Sequence, residues 1–155
     1  MQSRISALHY GCLIARPDDH LQLDRGSSFL LVVDVQEKLA PHVQGHERLI
    51  ARAGALVRAA KLLAVPVLAS EHCQDRIGRT VPALRSLARR RGCDYEPFLV
   101  DDTVGSQRAE DRAAGLQRMS AAGCSSATAE MAIIEWLHRA DDARFREVLQ
   151  IVKGL

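Results

Sequence analysis

The chain lacks several features that would mark a class of protein. Asparagine is absent from all 155 residues, so the sequence has no acceptor for N-linked glycosylation. Aromatic residues make up 4% and the formal net charge is +2, which gives no basis for a base-stacking or phosphate-binding surface. No apolar run approaches the roughly 20 residues that a membrane-spanning helix needs. We therefore predict neither a nucleic-acid partner nor a membrane partner.

Cysteine is scarce and widely spaced. Cys12, Cys73, Cys93 and Cys124 form no CxxC pair, which argues against a zinc ribbon and against a thioredoxin-type motif. The first 15 residues lack the pattern of a secretion signal. We expect reduced thiols and a cytoplasmic location. A glycine-rich phosphate loop is also missing, so the sequence predicts no nucleotide cofactor.

The length and the apolar share of 47% predict one globular domain with a substantial core. Residues 1–22 carry no helical or strand periodicity, and we interpret them as an N-terminal extension that adds little to the core. Residues 23–155 are expected to form the α/β domain.

The strongest structural signal is an apolar run that begins at Phe29 and leads into Asp34. A β-branched, apolar run of this length is typical of a buried parallel strand, which we expect over about 29–35. A carboxylate that follows such a strand lies where open α/β sheets bind their ligands. The alternative is that Asp34 only caps or solvates the strand end, and the pattern alone leaves both open.

The rest of the chain alternates between strand and helix signals. Apolar residues recur at steps of three and four from Leu49 to Leu63, which predicts an amphipathic helix. Ala109, Ala113, Leu116 and Met119 are expected as the inner stripe of a later helix. Trp136, Phe145, Val148 and Leu149 are expected as anchors where the last two helices pack. The remaining predicted elements are strands at 65–69, 97–100 and 125–128 and helices at 82–91, 130–137 and 143–152.

Five segments in this order resemble the isochorismatase-like cysteine hydrolase family. The first contains the strand, Asp34 and the residues after it, and the second is the next strand with its polar loop. The resemblance covers most of residues 23–153. The segments are Leu30–Leu39, Val65–His72, Ile77–Leu84, Phe98–Met119 and Ala129–Leu137.

The resemblance implies an α/β fold, a three-layer sandwich in which helices flank a mainly parallel sheet. It also implies catalysis by an aspartate, a lysine and a cysteine thiolate that attacks a carbonyl or imine carbon. Asp34 matches the catalytic aspartate, and Glu71 and His72 match the substrate side of the site. Glu71, His72 and Asp75 lack the spacing of a metal-ligand set, so we expect no metal and no other cofactor.

The sequence departs from the family between Leu87 and Phe98, where the blocks that carry the lysine and the cysteine are missing. At about 30 residues per βαβ unit, the missing material is on the order of 50 residues. We therefore expect fewer strands than the family has. Cys73 and Cys93 are the cysteines considered as substitutes. Cys93 precedes a strand instead of beginning a helix. The adjacent His72 is expected to point away from Cys73.

Two functional hypotheses are consistent with these features. The first is a hydrolase-like protein that acts on a small amide, imide or vinyl ether and is catalytically impaired. The alternative is a non-catalytic interaction or dimerisation module, or the truncated product of a longer hydrolase. Either would be a homo-oligomer, because the shortened sheet leaves apolar surface on the C-terminal helices that needs a partner.

Overall fold

The computed structural model describes residues 12–15, 22–71, 76, 78–82 and 96–155. These residues form five strands and four α-helices, with short 3-10 turns at Ala40–His42 and Asp101–Thr103. The strands are β1 Cys12–Ala15, β2 Phe29–Val33, β3 Val67–Ser70, β4 Glu96–Val100 and β5 Ser125–Ala127. The helices are α1 His46–Leu62, α2 Ala109–Ala121, α3 Ala129–Leu137 and α4 Phe145–Lys153. The predicted α/β architecture is confirmed.

The sheet has the order β3-β2-β1-β4-β5. Two parallel pairs form its halves: β2 pairs with β3 in the register Val33↔Ser70, and β4 pairs with β5 in the register Val100↔Ala127. Each pair belongs to a strand–helix–strand unit, which is the ordinary way to connect parallel neighbours. The carboxyl ends of all four parallel strands therefore lie at one edge of the sheet.

The central strand is the one that the sequence pattern did not predict. β1 lies between β2 and β4 and runs antiparallel to both, with Cys12 opposite Leu31 on one side and Leu99 on the other. Residues 12–15, which lie in the stretch expected to be an N-terminal extension, therefore form a strand of the sheet. Four residues are too few to show a periodicity. They form a strand because they pair with the edges of β2 and β4.

The core lies between the sheet and the helices. α1 buries a stripe of small and branched residues and packs against α3 and α4. Trp136 and Val148, two of the expected anchors, are fully buried, and Phe145 is half-buried against the same core. The predicted strands and helices that fall within the described residues are all present, with ends shifted by one to three residues.

The inner stripe expected for α2 is wrong. Ala109 and Ala113 are exposed, Leu116 and Met119 are only half-buried, and the helix has no buried residue. The periodicity is real, but an amphipathic face becomes buried only if another element covers it. The expected helix at 82–91 lies almost wholly outside the described residues, as do His72, Cys73, Asp75 and Cys93. Among the described residues, no helix is both long and apolar enough to cross a membrane.

Candidate functional site at the carboxyl edge of the sheet

Asp34 follows the last residue of β2 and lies at the carboxyl edge, as the apolar run before it predicts. Its backbone has a φ of 51°, in the left-handed region that residues with a side chain seldom adopt. The Asp34 N–H donates to the Ser70 carbonyl at 3.1 Å, and its own carbonyl accepts from the Gln36 N–H at 2.9 Å. These bonds hold the chain in a sharp turn that leaves the carboxyl group half-exposed.

Ser70 fixes the Asp34 carboxylate. The last residue of β3 donates its hydroxyl to Asp34 Oδ1 at 3.1 Å. The two residues come together because β2 and β3 are parallel and the register places Ser70 beside Val33. A hydroxyl donor orients the carboxylate without neutralising it. Among the described residues, no lysine or arginine forms an ion pair with Asp34.

Glu71 lies at the next position along β3, so the two predicted site carboxylates are at neighbouring strand ends. Its Oε1 accepts two hydrogen bonds from Thr80, one from the backbone N–H at 2.6 Å and one from the hydroxyl at 2.5 Å. Thr80 is buried, whereas Glu71 is largely exposed. Thr80 therefore orients the Glu71 carboxylate through Oε1.

A returning segment forms the third side of the site. Gln36 is fully buried and donates from Nε2 to the Gly78 carbonyl at 2.5 Å. The Val81 N–H donates to the Val35 carbonyl at 2.8 Å, and Gln36 pairs with Thr80 in an antiparallel bridge. These bonds set the Thr80 hydroxyl against Glu71.

Ser70, Thr80 and Gln36 are the residues that sequence reasoning missed. Ser70 was visible as a polar residue directly after an apolar strand, which is the same signal that identified Asp34. Gln36 carries no comparable signal, because its bond to Gly78 joins residues 42 positions apart. Thr80 carries none either, because its contact with Glu71 forms only when the chain folds back. His72, the other predicted substrate-side residue, lies outside the described residues.

The carboxyl end of β4 carries a second acidic pair at the same edge. Asp102 accepts the Ala129 N–H at 2.8 Å at the start of α3 and forms an ion pair with Arg52 of α1. Asp101 accepts from the Ser126 hydroxyl at 3.4 Å, and its carbonyl accepts from Arg112. Asp102 therefore joins two helices to the sheet.

Cys124 is the one cysteine whose side chain the structure describes. It precedes β5, so it lies at the amino edge of the sheet, opposite to Asp34. Burial raises the pKa of the Cys124 thiol, which disfavours the thiolate. Cys124 is unsuited to nucleophilic attack at the carboxyl edge.

A cavity of about 500 Å³ also lies away from Asp34. It is open to solvent and is formed by the turn before β2, the end of α3 and the loop after it. Asp24, Glu135 and Asp142 are among its lining residues. Because these segments are at the amino edge, the cavity is separate from the carboxylates described above. Within the described part of the chain, no three His, Cys, Asp or Glu side chains are grouped as metal ligands would be.

Curated proteins with similar sequences are named isochorismatase domain-containing proteins 2, 2A and 2B. Isochorismatase domain-containing protein 2 from Pongo abelii is 26% identical over 172 residues, which covers 83% of this chain and 84% of that protein. The protein of the same name from Rattus norvegicus is 40% identical over 58 residues, which is 37% of this chain and 28% of that protein. No family model matches the chain.

Solved structures resemble the chain in fold. The MAR1 ribonuclease from Caenorhabditis elegans has a TM-score of 0.72 at 22% identity and covers 79% of this chain and 88% of its own. YcaC from Pseudomonas aeruginosa, solved with hexane-2,5-diol and covalent acrylamide, has a TM-score of 0.75 at 18% identity, covering 88% and 92%. The Escherichia coli YcaC product is described as an octameric hydrolase of unknown specificity, with a TM-score of 0.70 at 16% identity, covering 88% and 92%.

Both the fold and the named relatives agree with the resemblance carried by the five sequence segments. The chain is therefore similar in sequence and in fold to isochorismatase-like proteins, at low sequence identity.

Proposed function

We propose that this chain is a hydrolase-like protein that binds a small amide, imide or vinyl ether at its carboxyl edge and is impaired in thiol-dependent hydrolysis. The observation that carries the proposal is the direction of β1. Between β2 and β4, where the order of a doubly wound sheet reverses and its ligands bind, the strand runs antiparallel.

The direction of this strand decides whether a helix can begin at the crevice. A parallel strand ends at the carboxyl edge and leads into a helix, whose N-terminus can lower the pKa of a cysteine and stabilise its thiolate. β1 instead begins at this edge, with Cys12 nearer to it than Ala15. No helix N-terminus can therefore follow β1 at the crevice.

The alignments give independent support for a missing block. The alignment with the Pongo abelii protein extends over 172 residues but covers 83% of this chain, and 83% of 155 is about 129 residues. Relatives of this kind therefore have stretches that this chain lacks. This agrees with the interruption between Leu87 and Phe98, where the lysine and cysteine blocks are expected.

The proposed roles rest on the geometry of the site. Asp34 acts as the carboxylate that receives a proton, because it is half-exposed and held by the Ser70 hydroxyl without an ion-pair partner among the described residues. Glu71 contacts the polar end of the substrate, because its largely exposed carboxylate is oriented at this edge by Thr80. His72 is retained as a proposed substrate contact on the family resemblance alone.

We also propose that the protein forms a homo-oligomer and works in the cytoplasm. Met131 and Ile134 lie one turn apart on α3 and are 46% and 43% exposed. Large apolar side chains exposed together on one helix face mark an interaction surface. The same observation supports the alternative function, a non-catalytic interaction or dimerisation module.

The test of the proposal is a hydrolysis screen with the full chain. Nicotinamide, simple amides and vinyl ethers related to isochorismate should be turned over at background rates. Acrylamide should label the thiols no faster than it labels free cysteine; for Cys124, the one described thiol, burial raises the pKa. Ligand binding, measured by protection of the chain against thermal unfolding, should still occur and should be weakened in Asp34→Asn.

Matched variants make the screen decisive. Asp101→Asn changes a carboxylate at the same edge and should leave ligand protection unchanged. Cys73→Ser and Cys93→Ser should have no effect on any residual rate. If either serine variant abolished an iodoacetamide-sensitive turnover, the chain would be an active enzyme with a relocated nucleophile.

A further inference from the structure

The position of β1 separates it from every other strand. It is bonded along both edges, through Cys12–Ile14 to β2 and through Cys12–Ala15 to β4. The other four strands each have a parallel neighbour of their own. Removing β1 would therefore leave the pairs β2–β3 and β4–β5 intact, with a gap of one strand between β2 and β4, which we call the slot.

The two strand pairs are also held together without β1. α1, which follows β2, packs against α3 and α4, which follow β5. Arg52 of α1 pairs with Asp102 after β4, and the Asp102 carboxylate also accepts the first N–H of α3. The helical layer can therefore keep the slot open when its strand is absent.

The segment that enters the slot is attached by a separate anchor. Leu23 is buried and donates its N–H to Glu135 at 2.7 Å, and Arg25 pairs with Asp142. These contacts fix the chain just before β2 without using β1. Residues 16–22 connect the anchor to Ala15, and they can span about 23 Å when extended.

We propose that the slot between β2 and β4 is a strand-acceptor site, and that Cys12–Ala15 of the same chain is its tethered ligand. The site recognises an extended apolar segment that lies antiparallel to both walls. Main-chain hydrogen bonds on two edges supply the affinity, as in other complexes that add a strand to a sheet. The proposal does not depend on whether the crevice hydrolyses a substrate.

The tether determines how a free peptide should behave. Tethering through a short segment gives the attached strand an effective concentration on the order of millimolar. A peptide of the same sequence must compete with it and should bind the unmodified chain weakly. If the tethered strand is released, the same peptide should bind at least about tenfold more tightly.

The first experiment releases the strand in the full chain by Ile14→Pro. Every N–H of an interior strand faces a neighbour, so proline removes a ladder bond wherever it is placed. A fluorescein-labelled peptide of residues 10–17 is titrated with each chain, and binding is read as fluorescence anisotropy. The proline variant should bind at least about tenfold more tightly than the unmodified chain, while Ile14→Val should match the unmodified chain. A peptide with proline at the Ile14 position should not bind.

The second experiment locks the strand in place and remains valid if the proline variant fails to fold. Cys12 lies opposite Leu31, so Leu31→Cys permits a cross-strand disulfide in a chain whose other cysteines are serine. Oxidised glutathione should close it within one chain, and closure should abolish peptide binding until dithiothreitol opens it. Leu68→Cys is the control, because Leu68 lies in the same row of the sheet one strand further away. Two strand spacings place it about 10 Å from Cys12, beyond the reach of a disulfide.

Two results would overturn the proposal. A disulfide that joins Cys12 to Leu31→Cys of a second chain, seen as a covalent dimer on a non-reducing gel, would show that the occupant is another copy. Peptide binding that is equal in the locked and the opened chain would show that the peptide binds elsewhere.

Discussion

The carboxyl edge of the sheet has two acidic regions that differ in how their carboxylates are used. At the end of β2 and β3, Asp34 and Glu71 accept from the hydroxyls of Ser70 and Thr80, and Asp34 forms no ion pair among the described residues. At the end of β4, the Asp102 carboxylate accepts from the start of α3 and pairs with Arg52.

The difference separates a candidate site from a structural joint. The Asp102–Arg52 pair is mostly removed from water, with side chains 21% and 17% exposed, so its contacts serve packing. Asp34 is instead held in an unfavourable backbone conformation and keeps an oxygen available. Strained backbone conformations are costly and are kept mainly at functional sites. The strain at Asp34 therefore supports a functional role for its carboxylate.

The largest expected effect is on the structural joint. Arg52→Ala should lower the free energy of unfolding by about 2–3 kcal/mol, because it leaves the Asp102 carboxylate partly buried without its cation. Urea unfolding measures this change. Arg139→Ala, which breaks a pair whose side chains are 71% and 68% exposed, should leave the unfolding free energy nearly unchanged and is the control. Equal losses from both variants would remove the distinction between the two regions.

The next effect tests how Glu71 is held. Thr80→Val keeps the shape of the buried side chain and the backbone N–H bond, but removes the hydroxyl that donates to Glu71. We expect a loss of about 1 kcal/mol in unfolding free energy, and weaker ligand protection if Glu71 contacts the ligand. Thr80→Ser retains the hydroxyl and should restore the ligand effect. If Thr80→Val bound the ligand as well as Thr80→Ser, Glu71 would have no role in ligand binding.

A change of opposite sign is expected at Asp34. Asp34→Gly should raise the unfolding free energy by about 0.5–1 kcal/mol, since glycine adopts a φ of 51° without steric cost. Asp102→Gly should lower it, because that position loses an ion pair and a helix contact. Both changes are read from urea midpoints. Destabilisation by Asp34→Gly would mean that the Ser70 hydrogen bond outweighs the strain and that Asp34 is structural.

The smallest effect belongs to the loop after α3, far from both regions. The Arg144 backbone N–H and the Arg25 side chain hold the pKa of Asp142 below its ordinary value of 3.8. A lowered pKa stabilises the folded loop above that ordinary value, and the stabilisation is lost as the pH falls through the lowered one. Protection of the amides over residues 138–144, corrected for the intrinsic exchange rate at each pH, should therefore fall as the pH drops below 3.8. Arg25→Ala should shift this loss of protection to higher pH, and an unchanged profile would contradict the assignment.

Much of this comparison was predictable from local sequence. Apolar periodicity located α1, β2 and the two closing helices, and the acids after β2 and β4 identified the functional edge. The pairing of Asp34 with Ser70 is expected once β2 and β3 are taken as parallel, because the register then fixes which strand ends are neighbours. Thr80 and Gln36 were not predictable, because their hydrogen bonds join segments that meet only in the folded chain.

The sequence by itself determined the type of the described helices and of every strand except β1, because burial of one face leaves a period of two or of 3.6 in the residues. It also determined which carboxylates follow the strands. Tertiary structure alone decided that Cys12–Ala15 forms the central strand and that the α2 stripe stays uncovered. The position of β1 and the exposure of α2 both depend on which surfaces of the folded chain are covered by another element. A four-residue apolar stretch can form a strand anywhere, and it becomes one here because two strand edges on either side of it lack partners.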